Sequence, residues 1–263
     1  MRIRPGKPFK YGYNSIIDMD GKHADALINF GILKLKANQI VVNKNEKESA
    51  FLLISGEVKF EWEGHKVLAK RASCFTDGPW CLHVPSNVSI NITCIKSDTE
   101  LSVMKTTNEQ SFESRLFTPA DCKTEMLGTG TMNEAATRLT RLIFNKTNRD
   151  KSNLLLGETI NLPGKWSSYP PHYHAQPEIY FYKFNLENGF GYAGLGDKAY
   201  KIISNDTLLV NTPVAHPQVA APGYAMYYSW VIRHIDNQPF LKPTFLDEYK
   251  WLNDKHSKFW PEA

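Results

Sequence analysis

Three side chains of types that commonly bind transition metals lie within seven residues of one another. His172, His174 and Glu178 follow a pair of prolines in the segment WSSYPPHYHAQPEIYFYKF, residues 166–184. The prolines favour extended backbone before them, and the aromatic and β-branched residues after Glu178 predict a strand. Residues two apart in a strand face the same side, so both imidazoles are expected to point together, and a short turn can return Glu178 to them. Such a set suits Zn, Fe, Mn or Ni.

Surface histidines on a polar loop are the alternative interpretation of this segment, and a second stretch favours the metal. Leu208–Val210 forms an apolar run that ends in a turn at Thr212–Pro213, and His216 follows. A strand, a turn and a histidine downstream of an HxH…E segment have the layout of a cupin barrel. Three imidazoles and one carboxylate leave coordination positions open for water or substrate, as catalytic metal sites do.

Composition excludes several other classes of protein. The chain has 263 residues, 42% hydrophobic and 22% charged, and a net charge of +4 spread without a dense basic run, which argues against a dedicated nucleic-acid-binding protein. No stretch is apolar enough to span a membrane, and the first residues lack the apolar core of a signal peptide. We therefore expect a cytoplasmic protein. The four cysteines form no CxxC pair and are expected to be buried and reduced.

The fold class is predicted from short strands that alternate with turns. Between Gly31 and Val103 several short β-type runs alternate with turn residues, and a similar order recurs after residue 150. Such repetition predicts an all-β protein made of two barrels, with boundaries at 1–125 and 126–263 and only a few short helices. The segment 132–143 is compatible with a helix or a strand.

The first barrel lacks an HxH segment. Its single histidines, His65 and His83, are expected to lie on the surface or in the core. This barrel is therefore predicted to be free of metal and to serve packing, oligomerisation or part of a pocket wall.

The chain also resembles a known family, the 5-deoxy-glucuronate isomerases of bacterial myo-inositol catabolism, which are bicupins related to the 5-keto-4-deoxyuronate isomerases of pectin breakdown. The most specific shared string is WSSYPPH, residues 166–172. Further matches span most of the chain: Lys70-Arg71-Ala72-Ser73, Phe117-Thr118-Pro119-Ala120-Asp121, Gly128-Thr129-Gly130, Glu178-Ile179-Tyr180, His216-Pro217, Gly223-Tyr224 and Tyr227-Tyr228. The chain departs from the family at Tyr182, where a histidine is expected, in a shorter segment between His174 and Glu178, and in an altered turn at Thr212-Pro213-Val214-Ala215.

The resemblance implies a fold, a reaction and a cofactor. The fold would be two cupin-type barrels, each a double-stranded β-helix. The reaction would be the aldose–ketose isomerisation of 5-deoxy-D-glucuronate to 5-dehydro-2-deoxy-D-gluconate, an intramolecular oxidoreduction through an enediolate. The cofactor would be a divalent metal, zinc by family preference with Mn, Fe or Ni as alternatives. Its expected ligands are His172, His174, Glu178 and His216. The partners would be a small uronate and further copies of the chain, with no nucleic acid or membrane.

Several side chains near the expected metal are candidates for the chemistry. Tyr180 and Tyr182 share the parity of Glu178, and with Tyr228 and Glu178 itself they are candidates for proton transfer or hydroxyl binding. Filling of the core is an equally good interpretation of each tyrosine. Two arginines, Arg71 and Arg233, are candidates for binding the substrate carboxylate.

Alternative functions stay open at this point. They are isomerisation of another deoxy-uronate, a metal-dependent cupin dioxygenase, and a sugar-binding cupin without catalysis.

Overall fold

The computed structural model describes residues 1–44, 46–254 and 256–261, and antiparallel strands dominate them, as predicted for an all-β protein. None of the described helices is long and apolar enough to cross a membrane. The helices among the described residues are short 3-10 helices, at Ala24–Ala26, Met132–Glu134 and Asp247–Asn253. The strands are, in chain order, β1 (Arg2–Ile3), β2 (Gly12–Ile17), β3 (Asn29–Leu35), β4 (Ile40–Lys44), β5 (Glu48–Trp62), β6 (His65–Arg71), β7 (Trp80–Val84), β8 (Ser89–Cys94), β9 (Thr99–Thr106), β10 (Arg115–Phe117), β11 (Glu125–Leu127), β12 (Arg138–Phe144), β13 (Leu154–Asn161), β14 (Trp166–Ser167), β15 (His172–Tyr173), β16 (Glu178–Phe184), β17 (Phe190–Leu195), β18 (Lys198–Ile203), β19 (Thr207–Val210), β20 (Gln218–Ala220), β21 (Met226–Arg233) and β22 (Thr244–Phe245).

The chain divides into two compact units, and the division is not a single cut. The first unit comprises Pro5–Lys123 and Leu142–Leu156, and the second comprises Met1–Arg4, Thr124–Arg141 and Gly157–Ala263. The predicted boundary between residues 125 and 126 stays a prediction; the two units change at residues 4/5, 123/124, 141/142 and 156/157.

The N-terminal residues belong to the second unit because they pair with it. Strand β1 is antiparallel to β19, with Arg2 opposite Leu208. Arg4 reinforces this pairing, since its guanidinium donates to both carboxylate oxygens of the buried Asp206 at 2.8 and 2.6 Å. A bidentate pair of this kind fixes orientation as well as contributing energy.

The first unit is organised around the long strand β5. Its first half pairs with β7 and β9, and its second half pairs with β6 and β8. The strand changes register between Leu53 and Ser55 and passes through Gly56 at a φ of 110°. A side chain at Gly56 would be strained in this conformation, and its Cβ would lie 2.1 Å from the Thr99 hydroxyl oxygen. Glycine therefore permits the bend that lets one strand serve both halves of the barrel.

The single histidines and the cysteines of the first unit take the places expected of them. His83 is fully buried and stacks between Phe112 and Phe144, with ring centroids 5.0 and 4.3 Å away. His65 is exposed and stacks on Trp62. All four cysteines are buried and outside any disulfide, which agrees with the prediction of reduced thiols.

Most strands of the second unit belong to a seven-stranded or a four-stranded sheet, although residues 142–144 of β12 and 154–156 of β13 are assigned to the first unit. The orders are β1-β19-β16-β21-β13-β12-β11 and β14-β20-β17-β18. Its core draws on both sheets, for example Tyr182 and Leu208 from the larger and Ala193 and Ala220 from the smaller. The segment left open as helix or strand resolves mainly into β12. Strand β16 lies between β19 and β21, and its alternate residues Tyr180, Tyr182 and Phe184 belong to the core of this unit.

Candidate metal centre

Local structure brings the four predicted ligands to one end of the second unit. His172 is on β15, where it lies opposite Phe245 of β22. Glu178 begins β16, opposite Val210 at the end of β19. His216 lies between β19 and β20, in the loop that the sequence predicted as a turn. His174 lies between β15 and β16, so strand ends and short loops supply all four side chains.

Three of the four residues form a tight buried group. Ligand atoms of His174, Glu178 and His216 all lie within 4.8 Å of one another. Nε2 of His174 is 3.0 Å from Oε2 of Glu178, and Nε2 of His216 is 3.4 Å from the same oxygen. His172 is outside this group, but its ring centroid is 5.3 Å from that of His216. The sequence thus predicted residues that the fold brings together.

Each histidine is held by the same device. Nδ1 lies 2.9 Å from a backbone carbonyl oxygen two residues away, and the three acceptors are Pro170 for His172, Gln176 for His174 and Val214 for His216. An imidazole that donates from Nδ1 presents a lone pair at Nε2 in its neutral form. Hydrogen bonds of this kind orient metal-binding histidines.

The buried cluster contains a ring nitrogen that lacks a hydrogen-bond partner. Nε2 of His216 is buried and has no hydrogen-bond partner among the residues described. It nevertheless faces the carboxylate of Glu178, which is itself buried. If the rings of His174 and His216 are both neutral and protonated at Nδ1, their Nε2 lone pairs face the Glu178 carboxylate, and a cation between them would remove the repulsion. The residues present therefore fit a divalent metal.

Burial and mutual contacts set the charge states of the cluster. Burial alone would raise the pKa of Glu178, but contact with the imidazoles of His174 and His216 outweighs it and lowers the pKa to about 2. Burial, together with the charge of His216, lowers the pKa of His172 to about 4. Burial opposes protonation of His216 as well, but contact with Glu178 leaves its pKa raised. An anionic carboxylate and a neutral His172 are both suited to binding a metal.

The cluster opens into a cavity of about 180 Å³. His172, His174 and Glu178 are on its wall. The other polar or aromatic lining residues are Arg138, Thr140, Thr159, Ser168, Tyr180, Tyr228, Trp230 and Phe240. The cavity therefore combines candidate ligands with hydroxyl groups and one guanidinium.

The three candidate tyrosines have different environments. Tyr180 lines the cavity, and its hydroxyl lies 3.4 Å from that of Ser168. Tyr228 also lines it and donates to Ser167 Oγ at 2.7 Å. Tyr182 is fully buried outside the cavity lining and donates to Gln218 Oε1 at 2.7 Å. Burial raises the pKa of all three phenols, so each carries its proton at neutral pH.

The two arginines chosen for the substrate carboxylate are outside the cavity lining. Arg71 belongs to the first unit, is fully buried, and donates to the carbonyls of Leu53 and Asp77 at 2.9 and 3.0 Å. Arg233 follows Ile232 on β21, and strand alternation directs it away from the face that carries Ile232. It contacts Asp236 at 3.2 Å. Both guanidiniums make structural contacts in these positions.

Sequence reasoning overlooked four polar residues of the cavity, Arg138, Thr140, Thr159 and Ser168. Ser168 was within the shared WSSYPPH string and could have been singled out there. Arg138 begins β12, and Thr140, two residues later, lines the same cavity. If the segment had been assigned as a strand, the two-residue spacing would have placed Arg138 on the same face as Thr140.

Antiparallel barrel units with a His/Glu cluster at one end define a bicupin with a candidate metal centre. A model of the KduI/IolB family matches residues 3–252, and the chain belongs to this family.

Individual relatives agree with this assignment. A 5-deoxy-glucuronate isomerase from Geobacillus thermodenitrificans is 27% identical over 76% of this chain and 78% of its own. An IolB-like protein from Salmonella typhimurium has a solved structure that superposes with a TM-score of 0.82 at 21% identity, covering 94% of this chain and 97% of its own. A cupin 2 conserved barrel domain protein from Leptotrichia buccalis gives 0.53 at 11% identity, with 89% and 96% covered. The family and relatives indicate an isomerase, and the predicted cupin fold and family resemblance are confirmed.

Proposed function

We propose that this protein is a metal-dependent aldose–ketose isomerase that converts 5-deoxy-D-glucuronate to 5-dehydro-2-deoxy-D-gluconate, as in myo-inositol catabolism. The observation that carries the proposal is the buried His174–Glu178–His216 group, in which Nε2 of both histidines faces the same carboxylate oxygen. The relatives named 5-deoxy-glucuronate isomerase supply the substrate class.

The metal is proposed to bind His174, Glu178 and His216, with His172 as the fourth ligand. Zinc is the first candidate, and Mn, Fe and Ni suit the same donors. When bound, a divalent cation acts as a Lewis acid that stabilises negative charge on the carbonyl and hydroxyl oxygens of an enediolate. The carbonyl of Pro170, by holding Nδ1 of His172, orients Nε2 of that ring for the same purpose.

Arg138 is proposed to bind the carboxylate of the uronate, in place of Arg71 and Arg233. Its guanidinium is partly buried and lines the cavity, and it donates to the Ala136 carbonyl at 2.8 Å. Among the described residues no acidic side chain pairs with it within 4.0 Å. A cation in that position can form a bidentate pair with a carboxylate.

Tyr180 is proposed as the group that donates a hydrogen bond or a proton to a substrate oxygen. Its hydroxyl is at the cavity beside Ser168, and burial keeps its pKa well above the ordinary value. The phenol therefore acts as a donor at neutral pH. Tyr228 is a second donor on the same wall, whereas the Tyr182 hydroxyl is engaged by Gln218.

The test is an isomerase assay with 5-deoxy-D-glucuronate on the full-length protein and on His216→Ala. We expect turnover by the wild type, loss of activity in the variant, and no consumption of O2. A matched control is His65→Ala, which removes an exposed histidine. Binding without turnover, or oxygen consumption with substrate, would contradict the proposed reaction and favour a sugar-binding cupin or a dioxygenase.

A further inference from the structure

A second cavity lies within the first unit, in the barrel that has no HxH segment. Its volume is about 420 Å³, which falls within the range of small-molecule sites, and the mouths of β-barrels are common places for them. Its floor consists of Leu33, Phe51 and Val103, which belong to the hydrophobic core of this unit.

Polarity changes along the strands from the floor of this cavity to its mouth. On β3 the residue that follows Leu33 toward the mouth on the same face is Gly31, and then Asn29. On β9 the corresponding step leads from Val103 to Lys105, which is opposite Asn29 in the register. The wall is thus apolar at the bottom and carries an amide and an ammonium at the top.

Lys105 is a partly buried cation without an acidic partner. Its Nζ donates to Asn43 Oδ1 at 2.8 Å, and no carboxylate of the described residues lies within 4.0 Å of it. The nearby Lys47 is paired with Asp20 at 3.0 Å. Burial, and secondarily the charge of Lys47, lowers the pKa of Lys105. An anion bound beside this ammonium would stabilise its charged form and so oppose both contributions to the lowered pKa.

Tyr13 adds a hydroxyl to the same wall, and Gly31 makes room for it. A Cβ built at Gly31 would lie 2.7 Å from the Tyr13 hydroxyl oxygen, so only glycine leaves this close approach undisturbed. The Tyr13 side chain is 48% exposed, but burial around it raises the pKa of Tyr13 to about 12, with a smaller contribution from Asp18. The phenol is therefore a hydrogen-bond donor at neutral pH, and Asp18 on the rim is an acceptor.

We propose that the first barrel carries a second binding site, which takes a small hydroxylated carboxylate with its anionic group on Lys105. Tyr13 and Asn43 contact its hydroxyl groups, and the apolar floor contacts its carbon chain. This proposal concerns binding alone, and it does not depend on which reaction the second unit catalyses.

The test is isothermal titration of the full-length protein with D-gluconate. His174→Ala/His216→Ala serves as the parent, so that the candidate metal centre does not contribute. We expect gluconate to bind the parent, and Lys105→Met to weaken that binding about tenfold or more, as expected for a lost hydrogen bond to a charged group. Lys44→Met is the matched control because it removes an exposed lysine of β4, the strand that carries Asn43. It should bind like the parent.

The neutral polyol D-glucitol tests the class of ligand, because it has the hydroxyl groups but no carboxylate. We expect it to bind at least tenfold more weakly than gluconate. If Lys105→Met fails to fold by near-ultraviolet circular dichroism, Asn43→Ala and Tyr13→Phe replace it and should each weaken binding several-fold. Equal binding of gluconate by the parent and these variants, equal binding of glucitol, or no binding up to about 10 mM would overturn the proposal.

Discussion

Nε2 of His174 lies 3.0 Å from Oε2 of Glu178, while the Nδ1 of the same ring lies 2.9 Å from the carbonyl oxygen of Gln176. His216 repeats this arrangement, with its Nδ1 on the Val214 carbonyl and its Nε2 3.4 Å from the same carboxylate oxygen. When the carbonyls hold the imidazole protons, both inner nitrogens present lone pairs to an anion. A cation between them removes the repulsion, which gives the cluster the donor chemistry of a metal centre.

The ligands should differ in how strongly they hold the metal. His174→Ala and His216→Ala remove members of the tight group, so we expect both to purify without metal. His172→Ala removes a residue outside that group and should retain metal with affinity weakened on the order of 10–100-fold. Titration with Zn2+ in the presence of a competing chelator measures the difference. Equal loss in all three variants would contradict the ranking.

Two tyrosines of the same strand should separate catalysis from stability. Tyr180→Phe removes a hydroxyl at the cavity, and we expect kcat to fall ~100-fold with metal content unchanged. Tyr182→Phe leaves the buried Gln218 Oε1 without its donor, so activity should persist while stability falls by about 1–2 kcal/mol. Steady-state kinetics and urea unfolding of both variants test this, and a reversed pattern would contradict the assignment.

Arg138 should govern recognition of the substrate carboxylate. We expect Arg138→Met to raise KM for the uronate ~10-fold or more while leaving KM for a matching aldose without a carboxylate unchanged. Arg71→Met is the comparison, since Arg71 donates to the backbone carbonyls of Leu53 and Asp77. It should lower the free energy of unfolding by about 1–3 kcal/mol. A raised KM for the uronate in Arg71→Met but not in Arg138→Met would contradict this assignment and indicate that Arg71 binds the substrate carboxylate.

A buried polar network should make the first unit sensitive to acid. Glu48 accepts hydrogen bonds from His83 at 2.8 Å and Asn108 at 2.7 Å, and Arg149 donates to Nδ1 of His83 at 3.0 Å. Burial lowers the pKa of His83 more than Glu48 raises it. For Glu48, burial opposes ionisation, but the hydrogen bonds outweigh it and lower the pKa.

Both shifts give stability the same dependence on pH. The unfolded chain binds more protons, so the free energy of unfolding should fall as pH drops below about 6.5 for the His83 contribution, and below about 4.5 for that of Glu48. Urea midpoints at pH 7.5, 5.5 and 4 measure this trend. His83→Phe keeps the aromatic stack but removes the titrating ring, so the drop in urea midpoint between pH 7.5 and 5.5 should become smaller. An unchanged drop would contradict the explanation.

Most of the candidate site was predictable because its signals are local. The HxH spacing, the strand after Glu178 and the turn before His216 each depend on a few neighbouring residues. The exclusion of His172 from the tight group was not predictable, because it depends on how β15 pairs with β22. Likewise, the use of Arg71 to hold two carbonyls follows from tertiary contacts that have no signature in the residues around it.

The fold class was predictable, but the assignment of short chain segments to the other unit was not. Alternating strands and turns indicated an all-β chain with two barrels. The pairing of Arg2 with Leu208 depends on residues far apart in the sequence, and the same holds for the contact between Glu48 and Ser152. The predicted homo-oligomer remains a prediction.

The most direct test of the central claim is elemental analysis of the purified wild type, followed by the isomerase assay on the same sample before and after chelation. The proposed centre predicts about one divalent metal per chain, turnover of 5-deoxy-D-glucuronate, loss of both on chelation, and recovery when Zn2+ or Mn2+ is returned. Absence of metal after incubation with these ions, or full activity in the metal-free protein, would contradict it.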